Sequence, residues 1–206
     1  MKEIVLNLAL LAVLSIAFSS LTGCNSTKTA QQEPGSPPIV PQNQETNGST
    51  TAKGSDYPPV PAAMAKGEIK NLDGTTFTID DKKGKVVLLN LWATWCGPCR
   101  SEMPTLVKMQ DDYRDKNFEI IGLDTDDEPA SAINAFKDQM KLNYALVWSD
   151  AALQNELLKV SKFAGIPQSF LIDREGRLRG VFTGANPGSV QKMADIVGTV
   201  VNERTN

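Results

Sequence analysis

The segment Trp95-Cys96-Gly97-Pro98-Cys99 directly follows an apolar run at residues 86–92, and the two together decide the fold. Two thiols three residues apart can close into a disulfide and reopen, which is a two-electron reaction. The apolar run predicts a strand buried on both faces, and a helix is expected to follow it. Free N–H groups at the start of that helix favour a thiolate, so we expect an exposed, reactive Cys96 and a more buried, protonated Cys99.

The residues between the cysteines fit a redox pair better than other uses of two thiols. Gly97 permits a tight turn, and Pro98 fixes the backbone without leaving an N–H unpaired. A purely structural disulfide is one alternative, but so short a loop contributes only about 2 kcal/mol through chain entropy. A zinc site is another, but it needs four ligands, and the chain has three cysteines and no histidine. Redox chemistry without a metal or cofactor is therefore the leading interpretation.

The third cysteine, Cys24, belongs to a different motif. Residues 1–23 predict a secretory signal peptide, with a short n-region, an apolar stretch over residues 4–18 and small or polar residues after it. The apolar stretch is shorter than the about 20 residues that a membrane span needs. Its end, Leu21-Thr22-Gly23-Cys24, resembles the bacterial lipobox, in which the cysteine carries lipid and anchors the protein to a membrane. An ordinary signal peptide with an incidental cysteine, or an uncleaved anchor, is the alternative.

Composition divides the rest of the chain into a tether and one domain. Residues 24–57 follow the signal peptide and consist mostly of Gln, Asn, Thr, Ser, Gly and Pro. Such a segment buries too little apolar surface to offset its ordering entropy, so we expect a lipidated cysteine and a disordered tether. An ordered but irregular arm is the alternative. Residues 58–206 suit a single domain, which we expect to be monomeric. The net charge of −3 and the lack of a basic run argue against nucleic-acid binding.

Hydrophobic patterning predicts an α/β domain. Asp73-Gly74 is a turn signal that predicts a small hairpin with residues 75–79, and residues 173–176 predict a second hairpin turn. Pro104 lies inside the helix that follows the cysteines and is expected to distort it. Alternation of strands and helices predicts a mixed sheet with helices on both faces. The later strands are expected at residues 118–123, 144–148, 169–172 and 178–182, and the helices at about residues 96–115, 128–140, 150–160 and 187–201.

Two segments carry a family resemblance. Residues 90–99, Asn-Leu-Trp-Ala-Thr-Trp-Cys-Gly-Pro-Cys, resemble the active-site segment of thioredoxin-fold proteins. With residues 100–104 they resemble more narrowly the TlpA/ResA-like family of membrane-tethered thiol–disulfide oxidoreductases. Residues 165–173 are similar to that family's second signature, and residues 128–148 to its inserted strand–helix unit. The resemblance implies a thioredoxin fold with a central mixed sheet, an N-terminal β-hairpin and that inserted unit.

The resemblance also implies roles for individual residues. Cys96 would attack a partner disulfide, and Cys99 would resolve the mixed disulfide. Pro167 would follow a cis peptide bond and lie against the cysteine pair, and the backbone of Ile166 would pair with the substrate as an added strand. Trp95 would cover the dithiol. The residues expected to contact substrate are therefore Trp95, Gly97, Pro98, Ile166 and Pro167.

One departure from thioredoxin concerns proton transfer. Asn90 stands where the resemblance places a buried aspartate in thioredoxin, and an amide cannot take and return a proton as a carboxylate does. Glu102, one helical turn after Cys99, is the candidate replacement. A buried carboxylate there would have a raised pKa and would accept the proton of Cys99. A solvated helix carboxylate without a catalytic role is the alternative.

Function follows as an expectation from these features. The protein is expected to be an extracytoplasmic thiol–disulfide oxidoreductase that works as a disulfide reductase, since its Gly-Pro dipeptide is the one that thioredoxin, a reductant, carries. It would be lipid-anchored on the periplasmic side or the outer face of a bacterial membrane. Its substrates would be protein disulfides, with apocytochrome c as one client that the resemblance implies, and a membrane thiol–disulfide carrier would supply electrons. A disulfide-forming oxidant is the first alternative, because the dipeptide between the cysteines biases the potential without fixing it. A tethered binding or chaperone module without turnover is the second.

Overall fold

The computed structural model describes residues 56–204. The predicted signal peptide, Cys24 and the tether up to residue 55 therefore lie outside the described residues. Among residues 56–204, no helix has the length and apolar character needed to cross a bilayer.

Within residues 56–204, seven strands form one mixed sheet in the order β2-β1-β5-β4-β3-β6-β7. The strands β3, β4 and β5 run parallel, whereas β1 pairs antiparallel with β5, and β6 with β3. The β1–β2 hairpin and the antiparallel β6–β7 pair lie at the two edges of the sheet. The strands are β1 (Ile69–Asn71), β2 (Thr76–Phe77), β3 (Val86–Trp92), β4 (Phe118–Asp124), β5 (Ala145–Trp148), β6 (Gln168–Ile172) and β7 (Leu178–Thr183).

The central strand β3 is buried along its whole length, as its apolar sequence predicts. Because side chains alternate across a strand, β3 divides the interior into two clusters. Leu88 and Trp92 pack into one cluster, and Leu89 and Leu91 into the other. Gly122 of β4 faces Trp92, and a Cβ atom there would lie 2.7 Å from Leu146 Cδ2. A larger residue at this point would therefore require the Leu146 side chain to shift.

The helices cover both faces of the sheet and have local signals at their ends. Cys96 is the N-cap of α2, which runs through Pro104 without ending there. Asp150 caps α4 by accepting from Leu153 N at 2.7 Å. Pro129 is the N-cap of α3, which starts two residues later than the predicted bound of residue 128. The helices are α1 (Ala62–Ala65), α2 (Gly97–Tyr113), α3 (Ala130–Met140), α4 (Ala151–Ser161) and α5 (Pro187–Asn202).

The sheet has two ends with different contents. The carboxyl ends of β3 and β4 and the start of β6 meet at one end, which carries Cys96 and is named the active-site end. The other, named the opposite end, holds the β6–β7 turn and receives the N-terminal residues of the domain. There Pro58 O accepts from Leu178 N at 2.9 Å, and Val60 N donates to Gly176 O at 3.0 Å.

The predicted fold is confirmed in class and in architecture. The α/β sheet, the N-terminal hairpin and the inserted unit of α3 and β5 are all present. Element bounds differ by a few residues. The strand predicted at residues 75–79 ends at Phe77, and a 3₁₀ turn at Asp80–Lys82 follows it.

Candidate functional site

Cys96 and Cys99 form a disulfide at the point where β3 gives way to α2. Their Cα atoms are 5.3 Å apart, and Cys96 Sγ lies 3.2 Å from Cys99 N, the first turn of the helix. Cys99 is fully buried, as predicted, but the expectation of an exposed Cys96 is wrong because its residue is 3% exposed. In the disulfide its sulfur turns toward Cys99 and packs in the cluster that also holds Trp92 and Met103. Attack on this sulfur therefore needs a partner that fits closely at the helix start.

Glu102 lies on α2 one turn after Cys99 and is buried, with 3% of its surface exposed. Asn90 of β3 donates through Nδ2 to Glu102 Oε1 at 2.8 Å and to Ser169 Oγ of β6 at 3.0 Å. Burial raises the pKa of Glu102 to about 7, and the hydrogen bond from Asn90 only partly opposes this effect. A carboxyl group that titrates near neutral pH is suited to exchange a proton with a thiol.

Tyr144, which immediately precedes β5, is a second buried titratable group near Glu102. Its hydroxyl has no hydrogen-bond partner within residues 56–204. Burial raises the pKa of Tyr144 well above its ordinary value, and the charge of Glu102 raises it further. The phenol is therefore neutral throughout the pH range in which Glu102 titrates.

The loop between β4 and α3 holds the residues just before Cys96. Thr94 Oγ1 donates to Glu128 Oε1 at 2.6 Å, and the indole N–H of Trp95 donates to Asp126. Asp124, fully buried at the end of β4, accepts from Glu128 N at 3.1 Å. Burial raises the pKa of Asp124 to about 6, and the neighbouring charge of Glu128 contributes in the same direction. The active-site end thus holds its carboxylates with neutral donors.

The segment before β6 supplies the other side of the site. The peptide bond between Ile166 and Pro167 is cis, as the resemblance implies, and Pro167 is buried. Ile166 packs against the cluster that contains both cysteines, and within residues 56–204 its backbone N–H and C=O make no hydrogen bond. Gln168 fixes this segment, since its Nε2 donates to Phe163 O at 3.0 Å and to Gly165 O.

A groove of about 280 Å³ lies beside the disulfide, between Trp95 and Ile166. Its apolar lining includes Leu91, Leu158 and Ile166, and among the described residues that line it only Asp126 is charged. Trp95, which lies at the edge of the groove, is 67% exposed. Trp95 is thus a wall of an open groove, and its expected role in covering the dithiol stays a prediction.

The structure brings the predicted site residues to one end of the sheet. Cys96, Cys99 and Glu102 share the start of α2, and Trp95 and Ile166 line the groove. Gly97 and Pro98 are exposed at the helix start. The roles of all these residues stay predictions, as does lipidation of Cys24, which lies outside the described residues.

Sequence reasoning missed the carboxylates of the β4–α3 loop and the glutamine after the cis bond. A polar run, Asp124-Thr125-Asp126-Asp127-Glu128, follows a buried strand that ends beside the cysteines, and that position was the available signal. Gln168 had no local signal because its partners depend on the loop conformation. Within residues 56–204, no group of three or more Cys, Asp or Glu side chains is arranged to hold a metal ion.

Comparisons with known proteins agree with this geometry. A sequence profile of the AhpC/TSA family matches residues 59–181. The thiol-disulfide oxidoreductase ResA of Bacillus thuringiensis subsp. konkukian is 36% identical over 110 residues, which cover 53% of this chain and 61% of ResA. The thioredoxin-like protein YneN of Bacillus subtilis is 31% identical over 117 residues, or 56% of this chain and 66% of YneN. The match thus spans less than two thirds of either relative.

A solved structure shows the same fold over most of the described residues. The thiol:disulfide interchange protein, a thioredoxin family protein from Chlorobium tepidum TLS, superposes with a TM-score of 0.59 and is 27% identical. The superposition covers 71% of this chain and 97% of that protein.

Proposed function

We propose that this chain, which belongs to the AhpC/TSA family and to the TlpA/ResA-like group of thioredoxin-fold proteins, is a thiol–disulfide oxidoreductase that acts outside the cytoplasm as a disulfide reductase. The observation that carries the proposal is the Cys96–Cys99 pair at the start of α2 with the buried carboxyl of Glu102 one turn away. The Gly-Pro dipeptide between the cysteines, which thioredoxin also carries, favours the reducing direction.

The reaction balances in two thiol–disulfide exchanges. The Cys96 thiolate attacks a substrate disulfide, a bond forms between Cys96 Sγ and one substrate sulfur, and the other sulfur leaves as a thiolate. Glu102 then takes the proton of Cys99, and the Cys99 thiolate attacks Cys96 Sγ. The mixed disulfide breaks, and the second substrate sulfur leaves. The substrate gains two electrons, one proton from Cys99 through Glu102 and one proton that Cys96 had released to solvent, and Cys96–Cys99 ends as the disulfide.

Substrate binding uses the surface around the cis bond. The N–H and C=O of Ile166 have no partner among residues 56–204, so an extended substrate segment pairs with this backbone as an added strand. Trp95, Gly97 and Pro98 form the surface on the helix side, and Pro167 fixes the segment that carries Ile166. This arrangement presents a substrate sulfur to the buried Cys96. A small molecule that does not bind this surface reaches Cys96 less readily.

Location and partners follow from the N-terminal sequence. The signal peptide and the lipobox-like Leu21-Thr22-Gly23-Cys24 support lipid attachment at Cys24, and residues 25–57 support a tether. A membrane thiol–disulfide carrier would re-reduce Cys96–Cys99, and oxidised envelope proteins, apocytochrome c among them, would be the clients. The protein acts as a monomer and needs no cofactor.

The test is insulin reduction by the full-length protein in detergent, with a dithiol as the electron source. We expect turnover by the wild type and none by Cys96→Ser, whereas Cys99→Ser should accumulate a mixed disulfide with substrate. Cys24→Ser should lose membrane association and keep reductase activity. A wild type that binds reduced insulin chains without turnover would instead indicate a binding module.

The reduction potential of the pair separates a reductase from an oxidant. We expect a value near that of cytosolic thioredoxin, about −270 mV, measured by equilibration with a glutathione or dithiol buffer. A value near that of the strongly oxidising envelope enzymes, about −120 mV, would reverse the direction of the proposal.

A further inference from the structure

Among its side chains, the groove beside the disulfide offers hydrogen-bond acceptors but hardly any free donors. The amide of Gln154 donates to Thr125 O at 3.3 Å and to Ser149 O at 2.8 Å, and the amide of Gln168 donates to two carbonyls of its own loop. The indole N–H of Trp95 is taken by Asp126. Each side-chain N–H in the described lining therefore already has a protein partner.

The oxygens of the same side chains are less occupied. Gln168, a lining residue, is 2% exposed, and its buried Oε1 has no partner among residues 56–204. Asp126 accepts from Trp95 and, at 3.4 Å, from Thr125 Oγ1, which leaves lone pairs of its exposed carboxylate free. A ligand that brings donors, and above all a positive charge, would complement this lining.

The volume and the lining of the groove fit one long side chain of a ligand. A volume of about 280 Å³ holds a single extended side chain with a few water molecules. Leu91, Leu158 and Ile166 offer apolar surface for an aliphatic stem, and Asp126 stands at the rim where a charged head would reach water. Lysine and arginine have this form, with an apolar stem and a cationic end.

We propose that the groove between Trp95 and Ile166 selects client segments that carry a lysine or arginine beside the reactive cysteine, with Asp126 pairing to the cation. The inference rests on the proposed function, because it names the substrate class of the same site. A strand paired with Ile166 would place its cysteine at Cys96 and the neighbouring side chain in this groove. The pairing is at the rim, so it acts on substrate choice and on association more than on the chemical step.

The test uses two disulfide-linked peptides that are identical except for the residue beside the cysteine. One carries lysine and the other norleucine, which keeps the stem and lacks the ammonium group. For the full-length protein in detergent at low salt, we expect kcat/KM for the lysine peptide to exceed that for the norleucine peptide by about 3- to 10-fold. The ratio should fall as salt screens the pair.

Two variants with the same change in charge locate the effect. Asp126→Asn keeps an oxygen that accepts from Trp95 and removes the charge, so the lysine-to-norleucine ratio should drop to about 1. Asp127→Asn removes an exposed charge from the adjacent residue, which does not line the groove, and should keep the wild-type ratio. The assignment to Asp126 would be overturned if the wild type had equal kcat/KM values for the two peptides. It would also be overturned if both variants lost the lysine preference to the same extent.

A binding measurement separates failure of this inference from failure of the proposed function. The same peptides with serine in place of cysteine are titrated against the oxidised protein, which needs no turnover. Tighter binding of the lysine peptide that depends on Asp126 supports the groove even if neither disulfide peptide is reduced. Turnover of both peptides without a charge preference in either assay overturns the inference and leaves the reductase standing.

Discussion

The two ends of the sheet hold carboxylates in different ways. At the opposite end, Arg179 Nη1 and Nη2 each lie 2.6 Å from an oxygen of Glu203, and Nη1 lies 3.4 Å from Asp173. Glu119 there binds Lys82 and Lys85 at 3.1 and 2.8 Å. At the active-site end the donors are neutral: the amide of Asn90, the hydroxyl of Thr94 and the indole of Trp95.

The difference appears in the protonation of the two sets of groups. Burial acts against the charge of Glu119, but hydrogen bonds from Lys85 and Lys82 lower its pKa overall. Glu102 has no cation partner in the part of the chain that the structure describes, and burial raises its pKa to about 7. Neutral donors orient a carboxylate without cancelling the cost of burying its charge. The opposite end is therefore arranged for stability, and the active-site end keeps groups that change protonation near neutral pH.

Removing the cation of the opposite end should give the largest effect. Arg179→Met leaves Asp173 and Glu203 without their partner and removes the guanidinium that stacks 4.1 Å from the Tyr57 ring centre. Breaking a buried ion pair in this way typically costs about 3 kcal/mol or more. We expect that loss in the free energy of unfolding, measured with urea at pH 7.

The matched control is Lys159→Met, which removes an exposed cation paired to Glu156 at 2.6 Å. Exposed pairs contribute little, so a loss below about 0.5 kcal/mol is expected. If Arg179→Met unfolds no more easily than this control, the ion pairs of the opposite end do not carry its stability.

Glu102→Gln should stabilise the protein at neutral pH, whereas replacing a carboxylate that is paired with a cation usually destabilises it. The folded pKa of about 7 lies above the usual value of 4.5, so the favourable contribution of the protonated group is complete below about pH 4.5 and is lost as pH rises through 7. Relative to wild type, the variant should gain about 2–3 kcal/mol in the free energy of unfolding between pH 5 and pH 8. Glu119→Gln, with its cation partners, should show no such gain.

The same variant tests the chemical role of Glu102. Loss of a general base typically lowers a rate by a factor of about 100 or more, so we expect insulin reduction by Glu102→Gln to fall at least about 10-fold at pH 7. The rise of activity through pH 7 should disappear, and only the titration of the thiols should remain. A pH–rate profile that matches wild type would remove Glu102 from the mechanism.

Patterns formed by residues that are close together in the sequence predicted the fold well. The run at residues 86–92 gave the central strand because it is long, apolar and rich in β-branched residues at its start. The Asp73-Gly74 turn and the Asp150 cap each depend on a few neighbouring residues. Such elements are decided locally, so they can be found without knowing what packs on them.

The site was predictable only where it is local or where a family resemblance supplied it. Cys96, Cys99 and Glu102 share one helix, but Asn90 meets Ser169 across 79 positions through the pairing of β3 with β6. The link from Thr94 to Glu128 likewise depends on how β3 and β4 align. Register between distant strands is not written in either strand alone. For the same reason, the position of Cys96 at a helix start did not reveal that its sulfur is buried.

Thr94→Val should have the smallest effect and sharpens the contrast most directly. The change removes the hydroxyl bonded to Glu128 Oε1, and Glu128 Oε2 is already buried without a partner among residues 56–204. A lost hydrogen bond of this kind costs about 1 kcal/mol, and a slightly displaced Trp95–Cys96 segment should slow insulin reduction about 2- to 5-fold.

The matched control is Thr78→Val, which breaks the same kind of bond, to Asp81 at 2.8 Å, on the exposed surface and away from the cysteines. Its stability should fall by no more than about 0.5 kcal/mol and its rate should not change. Equal rates for the two variants would show that the neutral donors of the active-site end hold the loop without positioning Cys96, and the two ends would then differ only in charge.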